Sequence, residues 1–127
     1  MTARPGLSAE LYSGAMSVKV DLAELADHVA QRGAGYLVTT GPDGRPHTTQ
    51  VIFTIDGQTL RAPAGRKTCR NIDAQPLVAL LWPPASPGDY NLIVDGTAAA
   101  VDVDDDGKGW AEIEATHAIL HRNAESG

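Results

Sequence analysis

The feature that most constrains this chain is an Asp56-Gly57 pair set between two β-rich runs. Asp-Gly supplies the positive φ values that a two-residue hairpin turn requires, so the chain is expected to reverse there. Before the pair, residues 47–55 place Thr49, Val51, Phe53 and Ile55 on one face and Thr48, Gln50, Ile52 and Thr54 on the other. After it, residues 58–62 form the returning strand. Upstream, the short β-rich run 36–40 meets 47–55 across Gly41, Pro42, Asp43, Gly44, Arg45 and Pro46, a dense turn signal. The spacing predicts a three-strand antiparallel meander and not a βαβ unit.

The flanking segments extend this pattern. Residues 1–20 read as an N-terminal arm ahead of one domain, 21–127. Asp21 is a candidate N-cap with Glu24 three positions on, and Leu22, Leu25, Ala26 and Val29 recur at helical spacing until Gly33 and Gly35 stop them, which predicts a helix over 21–32. A second, short helix is expected over 66–74. The apolar run 77–82 reads as a buried strand, and 83–89 as an exposed Pro-rich loop. Residues 90–103 read as a long strand with a bulge or bend at Gly96. Residues 110–122 suit either a strand or a helix; the short acidic turn before them favours a hairpin, so the strand is preferred. The expectation is an all-β domain with minor helices and six strands.

Composition narrows the class. Aromatic residues are 5% of 127, so the core must be built mainly from Val, Ile, Leu and Ala. The formal net charge of -6 argues against broad nucleic-acid binding, which needs an excess of Lys and Arg. No apolar run is long enough to span a bilayer as a helix, and no secretory h-region precedes residue 16. The lone Cys69 gives no sign of an oxidising compartment, so a cytoplasmic location is expected.

Within this acidic chain one stretch runs against the average. Between Asp56 and Asp73 there is no acid, and Arg61, Arg66, Lys67 and Arg70 account for four of the ten basic residues. One reading is a solvated helix face that offsets the acidic remainder. The other is an anion site. Gly65 allows close approach of backbone, and Arg66, Lys67 and Thr68 fall in the first turn of the short helix, where free N–H groups and the helix dipole favour an anion. Cations there disfavour the helix itself, so their presence makes more sense if an anion arrives.

The order of these pieces resembles a known family. Gly41-Pro42-Asp43-Gly44-Arg45-Pro46-His47 is followed by Asp56-Gly57, then Gly65-Arg66-Lys67-Thr68-Cys69-Arg70-Asn71-Ile72, Pro76-Leu77-Val78-Ala79-Leu80 and Val94-Asp95-Gly96-Thr97-Ala98. Over residues 22–103 this is similar to the pyridoxamine 5′-phosphate oxidase-like flavin-binding split β-barrel family. The resemblance implies a six-stranded antiparallel split barrel that forms a homodimer with FMN, or the deazaflavin F420, at the subunit interface. It implies that Arg66 and Lys67 hold the cofactor phosphate, with Thr68 and Asn71 beside them. It implies that Thr49, Gln50, Val51, Arg61 and Ala62 lie along the ring. Family members usually place Lys three positions before Asn, whereas Lys67 stands four before Asn71; both spacings share a helix face. The sequence also lacks the C-terminal extension that the oxidase itself uses for substrate, so vitamin B6 oxidation is not expected. The implied activity is hydride transfer to a small unsaturated substrate, the alternative a flavin carrier without catalysis.

Other constellations are weaker. Asp102, Asp104, Asp106 and Gly107 match half of a calcium loop, but the position of the bidentate acid is Ile113. His117 and His121 would share a metal if helical, and would lie ~13 Å apart on a strand. Cys69 lies near Lys67 and Arg70, yet nothing supplies a general base for thiol chemistry. Trp82 and Trp110 read as core or interface residues, and Trp82, ahead of the Pro-rich loop, as a border of the ligand cleft.

Overall fold

A computed structural model describes residues 16–122. The strands are β1 (Ser17–Lys19), β2 (Gly35–Thr40), β3 (Pro46–Val51), β4 (Thr54–Asp56), β5 (Thr59–Ala64), β6 (Leu77–Trp82), β7 (Asn91–Val101) and β8 (Gly109–His121). They form one antiparallel sheet in the order β3-β2-β6-β7-β8-β5-β4, with β1 also paired to β8. Residues 17–19 of the expected arm thus join the sheet; residues 1–15 and 123–127 lie outside the described residues. The sheet curls into the split-barrel architecture expected for the chain.

The helices follow their local signals. The Asp21 carboxylate accepts from the Ala23 N–H at 3.0 Å and starts a 3-10 turn, Leu22–Glu24, that runs into α1 (Leu25–Ala30). The second helix, α2 (Arg66–Ala74), has the bounds read from the sequence and buries Thr68, Cys69, Asn71 and Ile72. Among the described residues no helix is long and apolar enough to cross a membrane.

The expected strand 47–55 is in fact two. β3 pairs with β2 as far as Val51 opposite Gly35, the first residue of β2, and beyond that point β2 offers no partner. The chain crosses at Ile52 and Phe53, then pairs with β5 as β4. The expected meander is therefore cut in its middle, and β3 and β4 end at opposite edges of the sheet. With β1, this break makes eight strands of the six expected. Residues 110–122 are settled as strand over Gly109–His121, and the bulge expected at Gly96 appears as a register shift between Asp95 and Gly96. A Cβ at Gly96 would stand 2.7 Å from Ile113 Cγ2 and 2.9 Å from the Glu114 carbonyl oxygen, which is why the bend uses glycine.

Alternate residues of the long strands fill the interior. Leu80, Trp82, Leu92, Val94, Ile113 and Ala118 have no exposed surface. Trp82 packs its ring 4.9 Å from that of Phe53, and its indole lies against bare Gly35, where a Cβ would come within 2.8 Å of Nε1. Trp82 is thus a core residue and does not border the groove described below. Ala62, Ala111, Ala115 and Ala118 sit inside the same core. Among the described residues the interior is closely filled by these side chains, which directs the search for a site to the surface and the split.

Candidate functional site

The split between the sheet edges is a groove of about 580 Å³. The two-residue period of β3 turns His47, Thr49 and Val51 toward it as one wall. The end of β5 and the first turn of α2 form the second wall, through Pro63, Ala64, Gly65, Arg66, Lys67 and Thr68. Lys108 and Gly109, at the start of β8, form the third; Gly109 is held there by pairing with Ala64.

The first turn of α2 has donors to spare. Its N-cap is Gly65, which has no side chain to bond the helix, and the turn contains no acid. The first intrahelical bond runs from the Cys69 N–H to the Gly65 carbonyl at 2.9 Å. The N–H groups of Arg66, Lys67 and Thr68 precede it and are left for an outside acceptor.

The side-chain charges point the same way. Arg45 is within 3.8 Å of Asp43, and Arg61 is 2.7 Å from Asp102. Arg66, Lys67, Arg70 and Lys108 take part in no ion pair among the described residues. In a chain with sixteen acidic and ten basic side chains, four neighbouring cations without a counter-charge are out of keeping with the average. Arg66 uses only Nε internally, donating to the Asp106 carbonyl at 2.8 Å. Lys67 also borders a second groove of about 600 Å³, together with Arg45, Arg70 and Asn71.

Of the residues singled out in the sequence, Arg66, Lys67, Thr68, Thr49 and Val51 meet in the split. Gln50 is exposed and alternates away from Thr49 and Val51. Ala62 is fully buried in the core. Arg61 points away from the core; its guanidinium bonds Asp102 and lies 4.8 Å above the Trp110 ring. Asn71 is 1% exposed: its Nδ2 donates to Thr39 Oγ1 at 3.1 Å, tying α2 to β2, and its Oδ1 is buried without a partner. Lys108 was not foreseen. Its only sequence signal is a base flanked by Gly107 and Gly109 at the end of an acidic turn.

The remaining candidates separate from this site. Burial pushes the Cys69 thiol up, with the charges of Asp73 and Asp104 adding to the rise and a bond from the Gly109 N–H opposing it. The thiol is 3% exposed and its Sγ donates to the Ala64 carbonyl, so it is a packed core group. His117 and His121 stand four apart on β8, and His121 Nδ1 bonds Ser17 Oγ at 2.7 Å. The strand spreads the two rings too far for one ion. The Asp104 carboxylate accepts from the Asp106 and Lys108 N–H groups, which makes it the centre of a turn.

Comparison with known proteins adds lineage to this geometry. The family model described as pyridoxamine 5′-phosphate oxidase matches residues 22–126. An uncharacterised protein of Mycobacterium bovis is 35% identical over 117 residues, covering 84% of this chain and 82% of that protein. Among solved structures, an F420 reductase superposes with a TM-score of 0.60 at 22% identity, over 78% of this chain and 97% of that one. An FAD-binding protein of Mycobacterium smegmatis gives 0.61 at 18% identity, over 84% and 100%. At these identities the two structures establish a shared fold.

Proposed function

The chain belongs to the pyridoxamine 5′-phosphate oxidase family, and from that premise we propose that the split binds a flavin-type cofactor, FMN or the deazaflavin F420, by its phosphate. The observation that carries this reading is the unpaired cation set Arg66, Lys67 and Lys108 around the uncapped first turn of α2. The residues present fit the group. A phosphate dianion would take the N–H groups of the first turn, the two terminal amino groups of Arg66 and the ammonium groups of the lysines. Gly65 leaves open space at the point of approach, since a Cβ there would meet nothing within 4 Å.

Each wall has a part in this reading. Arg66 and Lys67 anchor the phosphate. Thr49 and Val51, on the opposite wall, give the ring a polar and an apolar contact along β3. When bound, a cofactor of this class supplies a two-electron carrier able to deliver hydride to a small unsaturated substrate, and the protein supplies position and electrostatic tuning. The groove is open on one side, so exclusion of water needs a further wall. We assign that wall to a second copy of the chain, making a homodimer. Ile52 and Trp110, which follow the groove residues Val51 and Gly109, are 64% and 40% exposed and offer that copy apolar surface.

The test is a fluorescence titration of the purified protein with FMN and with F420. The expected result is saturable binding of one of them, weakened in Arg66→Ala and in Lys67→Ala with the fold intact. Parent-like binding by both variants would remove the phosphate assignment. Turnover of an acceptor by the loaded protein separates an oxidoreductase from a carrier.

A further inference from the structure

The turn between β7 and β8 carries more than its acidic sequence implies. Its residues bond one another: the Asp104 N–H donates to the Lys108 carbonyl at 2.8 Å, the Gly107 N–H to the Asp104 carbonyl at 3.0 Å, and the Asp104 carboxylate takes the N–H groups of Asp106 and Lys108 at 2.9 and 3.0 Å. This closed loop lies across the stem of Arg66. The Asp106 carbonyl accepts from Arg66 Nε. Gly107, at φ +82, brings its bare Cα so close that a Cβ would stand 3.0 Å from Arg66 Cγ. The next residue, Lys108, lines the groove opposite Lys67.

We propose that the β7–β8 turn is a working part of the anion site: Lys108 contacts the ligand's phosphate directly, and Gly107 with the Asp106 carbonyl is a positioning device for Arg66. This rests on the phosphate reading of the groove and extends it to a segment some forty residues away in sequence. The physical case is one of unused donors and restricted motion. Fixing Nε on a carbonyl removes rotamer freedom from Arg66 before any ligand arrives, so less is lost on binding. The same bond leaves both terminal amino groups of Arg66 without a partner among the described residues. The Lys108 ammonium is likewise unpaired, although Asp104, Asp105 and Asp106 precede it. Asp104 spends its carboxylate on backbone N–H groups of the turn, so it does not neutralise the lysine.

The experiment compares FMN with riboflavin, which lacks the phosphate, on the parent and on Lys108→Ala, Lys108→Arg, Gly107→Ala and Arg66→Ala. Lys108→Ala is expected to weaken FMN about tenfold, the usual effect of losing one charge-assisted hydrogen bond, and to leave riboflavin unchanged. Lys108→Arg restores most of the loss. Gly107→Ala weakens FMN severalfold in the parent, and much less when Arg66 is already alanine. Parent-like FMN binding by Lys108→Ala beside a loss in Arg66→Ala overturns the inference and leaves the phosphate reading standing. If the parent binds F420 and not FMN, the same variants are read with F420; a parent that binds neither overturns the cofactor reading, and titration of backbone N–H signals with inorganic phosphate then decides the inference. Joint shifts at 65–68 and 107–109 support it, and shifts confined to 65–68, or none, overturn it.

Discussion

Arg32 bonds the chain just before β7 and Arg66 just after it, and the contrast between them is that of a cation engaged by the fold and one left largely outside it. Arg32 follows α1 and is half-buried. Its Nη1 donates to the Pro83 carbonyl at 2.9 Å and to the Tyr90 carbonyl at 2.8 Å, bracing both ends of the 83–89 loop. Burial lowers its basicity and the Asp89 charge raises it, the pattern of a cation spent on the fold. Arg66 is exposed, gives a single donor to the fold and has cations for neighbours. Arg32 gives two hydrogen bonds to the fold beside the Asp89 charge, although its Nε is buried without a partner; Arg66 gives one and takes part in no ion pair among the described residues. Charge count alone does not distinguish them.

The largest effect that would break this contrast is on stability. Arg32→Ala is expected to lower unfolding free energy by about 3 kcal/mol, as two carbonyls lose a charged donor, with FMN affinity kept. A chemical-denaturation series measures it, and a loss below ~1 kcal/mol would remove the distinction. Next in size, the double change Arg66→Ala and Lys67→Ala should weaken FMN about a hundredfold while stability holds. A smaller effect sharpens the picture. Lys67→Glu puts a negative charge at the start of α2 and should stabilise the ligand-free protein by ~0.3–1 kcal/mol while abolishing binding, the opposite signs expected of a residue kept for a ligand.

The smallest effect concerns Cys69. Its thiol holds the proton more tightly when folded than when unfolded. Stability is therefore fully present below the unfolded thiol's range near pH ~8.5 and falls as pH rises through and above it. Cys69→Ser should flatten that fall, read as melting temperature against pH from 7 to 10. Modification by a thiol reagent at pH 8 should be slow until the protein unfolds.

Much of this was legible in the sequence because local chemistry was unopposed. α2 follows from Gly65 and Pro76 at its borders; the reversal expected at Asp56-Gly57 is present but one residue on, since Asp56 pairs with Thr59 and Gly57, at φ > 0, turns the chain with Gln58. The break at Ile52 and Phe53 was hidden for a physical reason. Val51, Phe53 and Ile55 keep facing inward and Ile52 and Thr54 outward straight through it, so side-chain alternation carries no trace of a change of partner. Only the length of β2, set by where α1 lets go, decides where the ladder ends. The proposed anion site was half visible: Arg66 and Lys67 advertise themselves by charge, whereas Lys108 is masked by its acidic neighbours and reaches the groove only through the pairing of Gly109 with Ala64. Of the positions carried over by resemblance, Gln50 and Arg61 project away from the core and Ala62 packs inside it, so none of the three lines this groove.

The three walls of the groove come from residues near 50, 65 and 108, and Ser17 must find His121 across 104 positions before β1 is in place. Chains dominated by such distant pairings fold slowly, because loop entropy is lost before the pairing is gained. The β7–β8 hairpin can form early, yet it holds one wall only. In a stopped-flow refolding experiment, flavin capture should therefore lag behind the first β signal, and its onset would date the moment at which the barrel closes.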